Sequence, residues 1–168
     1  MALLPILKYP DVKLKKIAEH VAEDEFEGLQ SFIDDLFETL YEDDGLGLAA
    51  TQVNVQKHVI AIDLGGDAAE KLVFVNTEIT HKEGTTSSYE GCLSVPGIYE
   101  KVTRFEKIHI KAQDRFGKPF EMQATGRLAI CLQHELDHLN GILFIDHLPK
   151  LKRKMIQKKL EKIAKKRY

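Results

Sequence analysis

The stretch His134-Glu135-Leu136-Asp137-His138 constrains this chain more than any other. Two histidines four residues apart on a helix are offset by about 40° around the axis and one turn along it, so both imidazoles can reach one cation. A glutamate beside the first can then reach a water on that cation. The neighbouring residues predict the helix itself, with Thr125 placed to cap its start and Asn140-Gly141 a left-handed stop. Between them Leu128, Ala129, Ile130, Cys131, Leu132, Leu136 and Leu139 put apolar groups on every side. A helix apolar all round belongs inside a domain. Two histidines and two carboxylates are costly to bury there unless they are paired or bound to metal. The pentapeptide therefore predicts a core helix that holds a metal.

The rest of the chain must build a frame around that helix. Leu3 to Pro10 is apolar and bracketed by prolines, which predicts an extended segment laid on the core. Asp11 is placed to cap a short helix running to about His20. A second helix, roughly Phe26 to Asp43, carries Phe26, Leu29, Phe32, Ile33, Leu36, Phe37 and Leu40 at helical spacing. Strands are expected over His58 to Leu64, Leu72 to Thr80, and Thr85 to Ser94, with Gly65-Gly66 as a loop. A hairpin follows over Val102 to Gln113 and Pro119 to Ala124, turned by Asp114-Arg115-Phe116-Gly117. Strands in the middle and helices at the ends predict an α+β fold, with largely antiparallel β-sheet packed around the buried metal-binding helix. His81 and His109 stand in no ligand spacing and read as ordinary strand or surface histidines.

With 168 residues the chain suffices for one domain with a real core, so residues 1–168 are expected to form a single unit. No apolar run reaches the length of a membrane span, and no signal-type segment follows Met1. Two cysteines in such a chain point to a reducing compartment, and the expected location is the cytoplasm. Charge is unevenly spread. Residues 150–168 hold ten Lys/Arg against Glu161 alone, whereas Glu19 to Asp44 holds eleven acids and no Lys or Arg.

A third metal ligand must come from elsewhere. Cys131 lies three residues before His134, but helical side chains lean toward the N-terminus, so its sulfur points away from the pair. It reads better as a small apolar wall. Cys92 sits on a separate strand and can reach the open side of the histidines, and it is the predicted ligand. The run Gly45-Leu46-Gly47-Leu48-Ala49-Ala50-Thr51-Gln52 is no phosphate loop, because no Gly-Lys-Ser/Thr follows. Its glycines instead let backbone approach a ligand closely, and Gln52 offers an amide to a developing oxyanion.

Three segments now stand in order: Gly-x-Gly-Leu-Ala-Ala-x-Gln at 45–52, Glu-Gly-Cys-Leu-Ser at 90–94 and Gln-His-Glu-x-Asp-His at 133–138. Together they resemble peptide deformylase. The resemblance implies a divalent metal on Cys92, His134 and His138, commonly Fe2+, with Zn2+, Ni2+ or Co2+ also able to occupy the site. It implies a hydrolase removing the formyl group from the N-terminal formylmethionine of new polypeptides. By the same resemblance a metal-bound water would attack the formyl carbon, with Glu135 as general acid/base. Gln52 and the backbone N–H of Leu93 would hold the formyl oxygen, Gly45, Leu46 and Gly47 would line the substrate strand, and Ile130 and Cys131 would wall the methionine pocket. Tyr99 departs from the arginine that many bacterial members carry after the cysteine motif, and Arg127 stands where a leucine is frequent. Glu90 is placed to orient a histidine or pair with Arg104, and Asp137 to join an ion pair.

Two other functions compete. A general metallopeptidase shares the His-Glu-x-x-His element, but no further histidine or glutamate motif follows His138 to complete its ligand set. A ribosome- or RNA-binding module with a structural metal would need a closed site of four ligands, and three are evident. The basic tail, expected as a helix from about Pro149 to the end, lacks aromatic interleaving. Leu151, Met155, Leu160 and Ile163, widened by Ile156 and Ala164, give it an apolar stripe. Its cationic side reads either as a solvated face that aids solubility or as a ribosome contact added to catalysis, with no DNA or membrane partner, and nothing demands more than a monomer.

Overall fold

The computed structural model describes residues 2–166. Five strands form one antiparallel meander in the order β1-β2-β3-β4-β5: Gly47–Ala49, Val59–Ile62, Leu72–Cys92, Val95–Gln113 and Pro119–Thr125. Three α-helices complete the frame: α1 at Gln30–Glu42, α2 at Gly126–Leu139 and α3 at Lys150–Lys166. This is the expected α+β fold, with α2 at its centre.

Most of α2 is buried. Ala129, Leu132, Leu136 and Leu139 join Ile60, Ile62, Phe74, Ile108 and Ile110 of the sheet in one cluster. The stop at Asn140-Gly141 is a Schellman turn: Gly141 N–H donates to the His138 carbonyl (3.0 Å) and Ile142 N–H to that of Asp137 (2.9 Å). Gly141 takes φ +74°, and a Cβ there would strike the Lys15 carbonyl, so glycine is required twice over. At the other end Thr125 occupies the cap position but its side chain makes no capping bond, contrary to expectation.

The amphipathic stripe of α1 buries Ile33, Leu36, Phe37 and Leu40 against Leu48, Val59, Ala61 and Val75. Its expected start at Phe26 is instead a 3₁₀ turn, Glu27–Leu29, that leads into the α-helix at Gln30. The predicted helix from Asp11 to His20 shrinks to one 3₁₀ turn, Val12–Lys15, although Asp11 caps it by accepting from Lys13 N–H at 2.9 Å. The residues beyond are extended because tertiary partners claim their backbone. Ala18 N–H donates to the Leu139 carbonyl (2.8 Å), one of the groups a helix end leaves unpaired, and Glu19 N–H to the Gln56 carbonyl (2.9 Å).

Two expected strands fuse into the 21-residue β3, which pairs with the 19-residue β4 through three register shifts. The turn between them, Leu93-Ser94, directly follows Cys92. β1 was not expected, since it lies inside the glycine run; it pairs Gly47, Leu48 and Ala49 with Ile62, Ala61 and Ile60. Asp114 turns the β4–β5 hairpin, its Oδ1 accepting from Phe116 N–H (2.8 Å) and Lys118 N–H (3.0 Å).

The tail is helical as far as Lys166, and residues 167–168 of the expected helix lie outside the described residues. Its buried face differs from the predicted stripe. Ile156 and Leu160 pack with Val95, Ile98, Val102 and Phe144, whereas Leu151 and Met155 are exposed. No helix among the described residues is long and apolar enough to cross a membrane.

Candidate metal centre

Cys92 at the end of β3 meets His134 and His138 on α2. Cys92 Sγ lies 3.2 Å from His138 Nε2, which lies 3.2 Å from His134 Nε2. All three donor atoms fall within 4.8 Å of one another. Bonds of about 2.0–2.3 Å to a tetrahedral cation would set such atoms roughly 3.3–3.6 Å apart, so the residues present fit a divalent ion. Cys131 stands outside this group.

The donors are held from behind. Glu90, two residues before Cys92, faces the same helix and accepts a hydrogen bond from His134 Nδ1 at 2.8 Å. That bond leaves the Nε2 lone pair toward the shared point. Arg104 on β4 grips Glu90 with Nε and Nη2 at 2.8 Å each and reaches Asp137 through Nη1 at 2.6 Å. His147 Nε2 meets the same Asp137 oxygen at 2.8 Å. Burial works to raise the Glu90 pKa, but the Arg104 and His134 hydrogen bonds outweigh it and hold the carboxyl down at about 2. Burial and the neighbouring His134 depress the His138 pKa; burial also works to lower that of His134, but the contacts with Cys92 and Glu90 outweigh it and raise it, so a bound cation would have to displace the proton from His134 Nε2.

Glu135 lies between these groups and the groove. It is buried, and its Oε1 has no hydrogen-bond partner among the described residues. Burial pushes its pKa up to about 7. Gly47 backs it closely: a Cβ there would come within 2.8 Å of both Glu135 Oε2 and Cys131 Sγ.

Gln52 sits in a 3₁₀ turn, Ala50–Val53, with its amide fixed at both ends. Its Oε1 accepts from Ala49 N–H (2.9 Å), and its Nε2 donates to Ser94 Oγ (3.0 Å) and points to Cys92 Sγ at 3.6 Å. The extended N-terminal segment stitches this turn to the cysteine turn, as Leu7 N–H donates to the Gln52 carbonyl (2.7 Å) and Tyr9 N–H to the Ser94 carbonyl (2.8 Å).

A cavity of about 970 Å³ opens over the donors. Gly45, Leu46, Gly47, Leu93, Ile130 and Cys131 all line it together with Gln52, Cys92, His134 and Glu135, as do Tyr99 and Arg127. Every sequence-predicted site residue except His138, which lies beneath the cavity floor among the metal donors, borders this space. Burial raises the Cys131 thiol pKa and keeps it protonated. Ser94 and His147 were missed. Ser94 stands in the quoted cysteine motif, which was the available signal; His147 lies ten residues from Asp137, at no periodic spacing. His81 and His109 oppose each other across β3 and β4, away from the donors.

An antiparallel sheet wrapped on a helix that carries His-Glu-x-x-His, with a thiol supplied by a strand end, fits the class of hydrolases built around one cation. The comparisons narrow the class. The sequence model of the polypeptide deformylase family matches residues 3–154. The peptide deformylase of Chromobacterium violaceum is 54% identical over 163 residues, covering 96% of each chain. Peptide deformylase 1 of Pseudomonas syringae pv. tomato is likewise 54% identical over 163 residues and 96% of each chain. The crystal structure of a peptide deformylase from Legionella pneumophila superposes with a TM-score of 0.91 at 50% identity, covering 99% of this chain and 98% of that one. The chain belongs to the polypeptide deformylase family. It is therefore a hydrolase that removes the formyl group from N-formylmethionine peptides.

Proposed function

We propose that residues 1–168 form one catalytic domain in which Cys92, His134 and His138 hold a divalent ion, Fe2+ in the cell, and Glu135 moves the proton during deformylation of new chains in the cytoplasm. The observation that carries this reading is the buried Glu135 carboxylate, with an unpartnered oxygen, beside three convergent donors at the floor of a groove. When bound, the cation supplies a water that is acidic near neutral pH. Glu135 Oε1 accepts a proton from the attacking water and delivers it to the amine as the formamide C–N bond breaks, leaving formate and a free N-terminus. As the formyl oxygen gains negative charge, the Gln52 amide and the Leu93 N–H donate to it, and the bonds from Ala49 and to Ser94 keep the amide aimed beforehand. Gly45, Leu46 and Gly47 present backbone to the peptide, and Ile130 and Cys131 enclose its methionine side chain.

The test is anaerobic purification, elemental analysis, and assay on formyl-Met-Ala-type peptides. About one ion per chain is expected, with activity lost on chelation and regained on adding Fe2+. Full turnover of a chelated protein shown to hold no metal would sink the reading.

The tail extends this proposal. Lys152, Lys154, Lys158, Lys159, Lys162, Lys165 and Lys166 are exposed on α3, a surface suited to the phosphates of ribosomal RNA near the exit of nascent chains. Removing the helix would strip Ile156 and Leu160 from the core, so charge reversal is the cleaner probe. Ribosome co-sedimentation of the intact protein should fall steeply with salt. Changing Lys154, Lys158, Lys159 and Lys162 to Glu should weaken it and flatten that dependence, while deformylation of free peptides persists. Equal sedimentation of the two proteins rules out a ribosome anchor on this helix.

A further inference from the structure

A second cavity, of about 460 Å³, lies on the other side of α2 from the groove and shares no lining residue with it. Gln133, Leu136, Asp137 and Asn140 border it, whereas Ile130, Cys131, His134 and Glu135 border the groove. Its size falls among small-molecule sites, which run from roughly 300 to 1,000 Å³. Ile79 and Phe105 of the β3–β4 ribbon join Leu136 as its apolar wall. Donors stand on the strand side. Thr77 is buried, yet its hydroxyl has no hydrogen-bond partner among the described residues. Buried hydroxyls are ordinarily bonded, so this one is left for a ligand. Next to it, His58 Nδ1 accepts from Thr77 N–H at 3.3 Å, and burial lowers the pKa of the ring. The neutral imidazole therefore carries its proton on Nε2. Lys82 holds its ammonium 5.0 Å from the centre of the Phe105 ring.

Acceptors stand on α2. Asp137 uses Oδ2 for Arg104 and His147, and its Oδ1 receives no hydrogen bond among the described residues. Asn140, three residues on and so on the same face, donates Nδ2 to the Leu136 carbonyl and leaves Oδ1 open. Arg104 is taken up by Glu90 and Asp137, so Lys82 is the cation available to a ligand. We propose that this cavity binds a small zwitterion, a free amino acid or a dipeptide with an apolar side chain. Its carboxylate meets Lys82, His58 Nε2–H and the Thr77 hydroxyl, and its ammonium meets Asp137 Oδ1 and Asn140 Oδ1. The side chain covers Ile79, Leu136 and Phe105. A plain anion would face the Asp137 carboxylate and a plain cation would face Lys82, so the lining matches a ligand that carries both signs. The site is separate from the metal face and does not depend on the reaction proposed there.

The test titrates L-leucine and L-leucyl-L-leucine calorimetrically into the metal-loaded protein. At least one of them should bind at one site per chain. For whichever binds, the N-acetyl form lacks the ammonium and the C-terminal amide lacks the carboxylate. Each should bind weaker by about tenfold or more, the scale of one hydrogen bond to a charged group. Thr77→Val keeps the shape and removes the hydroxyl, and Lys82→Ala removes the ammonium; each should weaken binding of the parent ligand several-fold. Thr77→Val should melt at or above the wild-type temperature, because no native hydrogen bond is lost. Both variants should deformylate formyl-Met peptides at the wild-type rate, which shows them folded and loaded. An N-acetyl form or an amide that binds as tightly as its parent overturns the zwitterion. Affinity unchanged in either variant places the ligand elsewhere, the groove included, and overturns the site. Binding of neither ligand at millimolar concentration overturns the inference while leaving the deformylase reading intact.

Discussion

Glu135→Ala is expected to fold, to hold its metal, and to lose deformylation by at least about 10²-fold, the scale of a positioned acid/base. The three effects separate because Glu135 lies beside the donors but is not one of them. Folding should not suffer. The carboxylate is buried with one oxygen unpartnered among the described residues, so removing it relieves a desolvation cost instead of breaking a bond. The melting temperature of the variant should equal or exceed that of the wild type. The loss should appear in kcat, because the residue is asked to act on a proton in flight and not to bind peptide. Glu135→Gln, which keeps the shape and cannot take the proton, should be as slow. Near-normal turnover in either variant removes Glu135 from the mechanism, whatever its burial.

The inner helix was readable because its evidence is local. His134 and His138 at i and i+4, an apolar surround, and Asn140-Gly141 at the end all act within α2, and each survives in the structure as read. The antiparallel strands were readable from β-branched runs, but their limits were not. β3 passes through the expected break at residues 81–84 because β4 pairs along it on both sides of that point. β1 escaped notice because three residues of a glycine run carry no strand pattern; its pairing with Ile60 to Ile62 makes it a strand. The lost helix after Asp11 failed for a similar reason, since Ala18 and Glu19 give their backbone N–H groups to distant carbonyls. In the site, residue types with obvious chemistry were found, and those that act through others were harder. Glu90 and Arg104 were paired in the sequence only as one of two options, whereas Glu90 in fact takes both, bonding His134 and Arg104 together. Ser94 holds Gln52 across 42 residues and His147 holds Asp137 across ten, and neither separation has a periodicity that the sequence alone reveals.

The choice between the two thiols leads to the other large expected effect: Cys92→Ala should be isolated without metal and without activity, and Cys131→Ala should keep its metal. Cys92 Sγ lies 3.2 Å from His138 Nε2 and accepts from Ser94 N–H (3.4 Å) and the Gln52 amide (3.6 Å). The thiolate is the form in which a cysteine binds metals. Without it two imidazoles remain, one fewer protein ligand than open cation sites ordinarily use. Cys131 has the opposite surroundings. Burial raises its thiol pKa, the nearby Glu135 pushes it further in the same direction, and its sulfur lies against Gly47, outside the donor group. Its replacement should disturb the methionine pocket, seen as a higher KM on formyl-Met peptides at full metal content. Metal per chain after anaerobic purification decides the matter, with thermal melting of both variants showing that each is folded. A folded Cys131→Ala without metal, beside a Cys92→Ala that retains it, would reverse the assignment and move the reacting centre off the strand end and onto α2 alone.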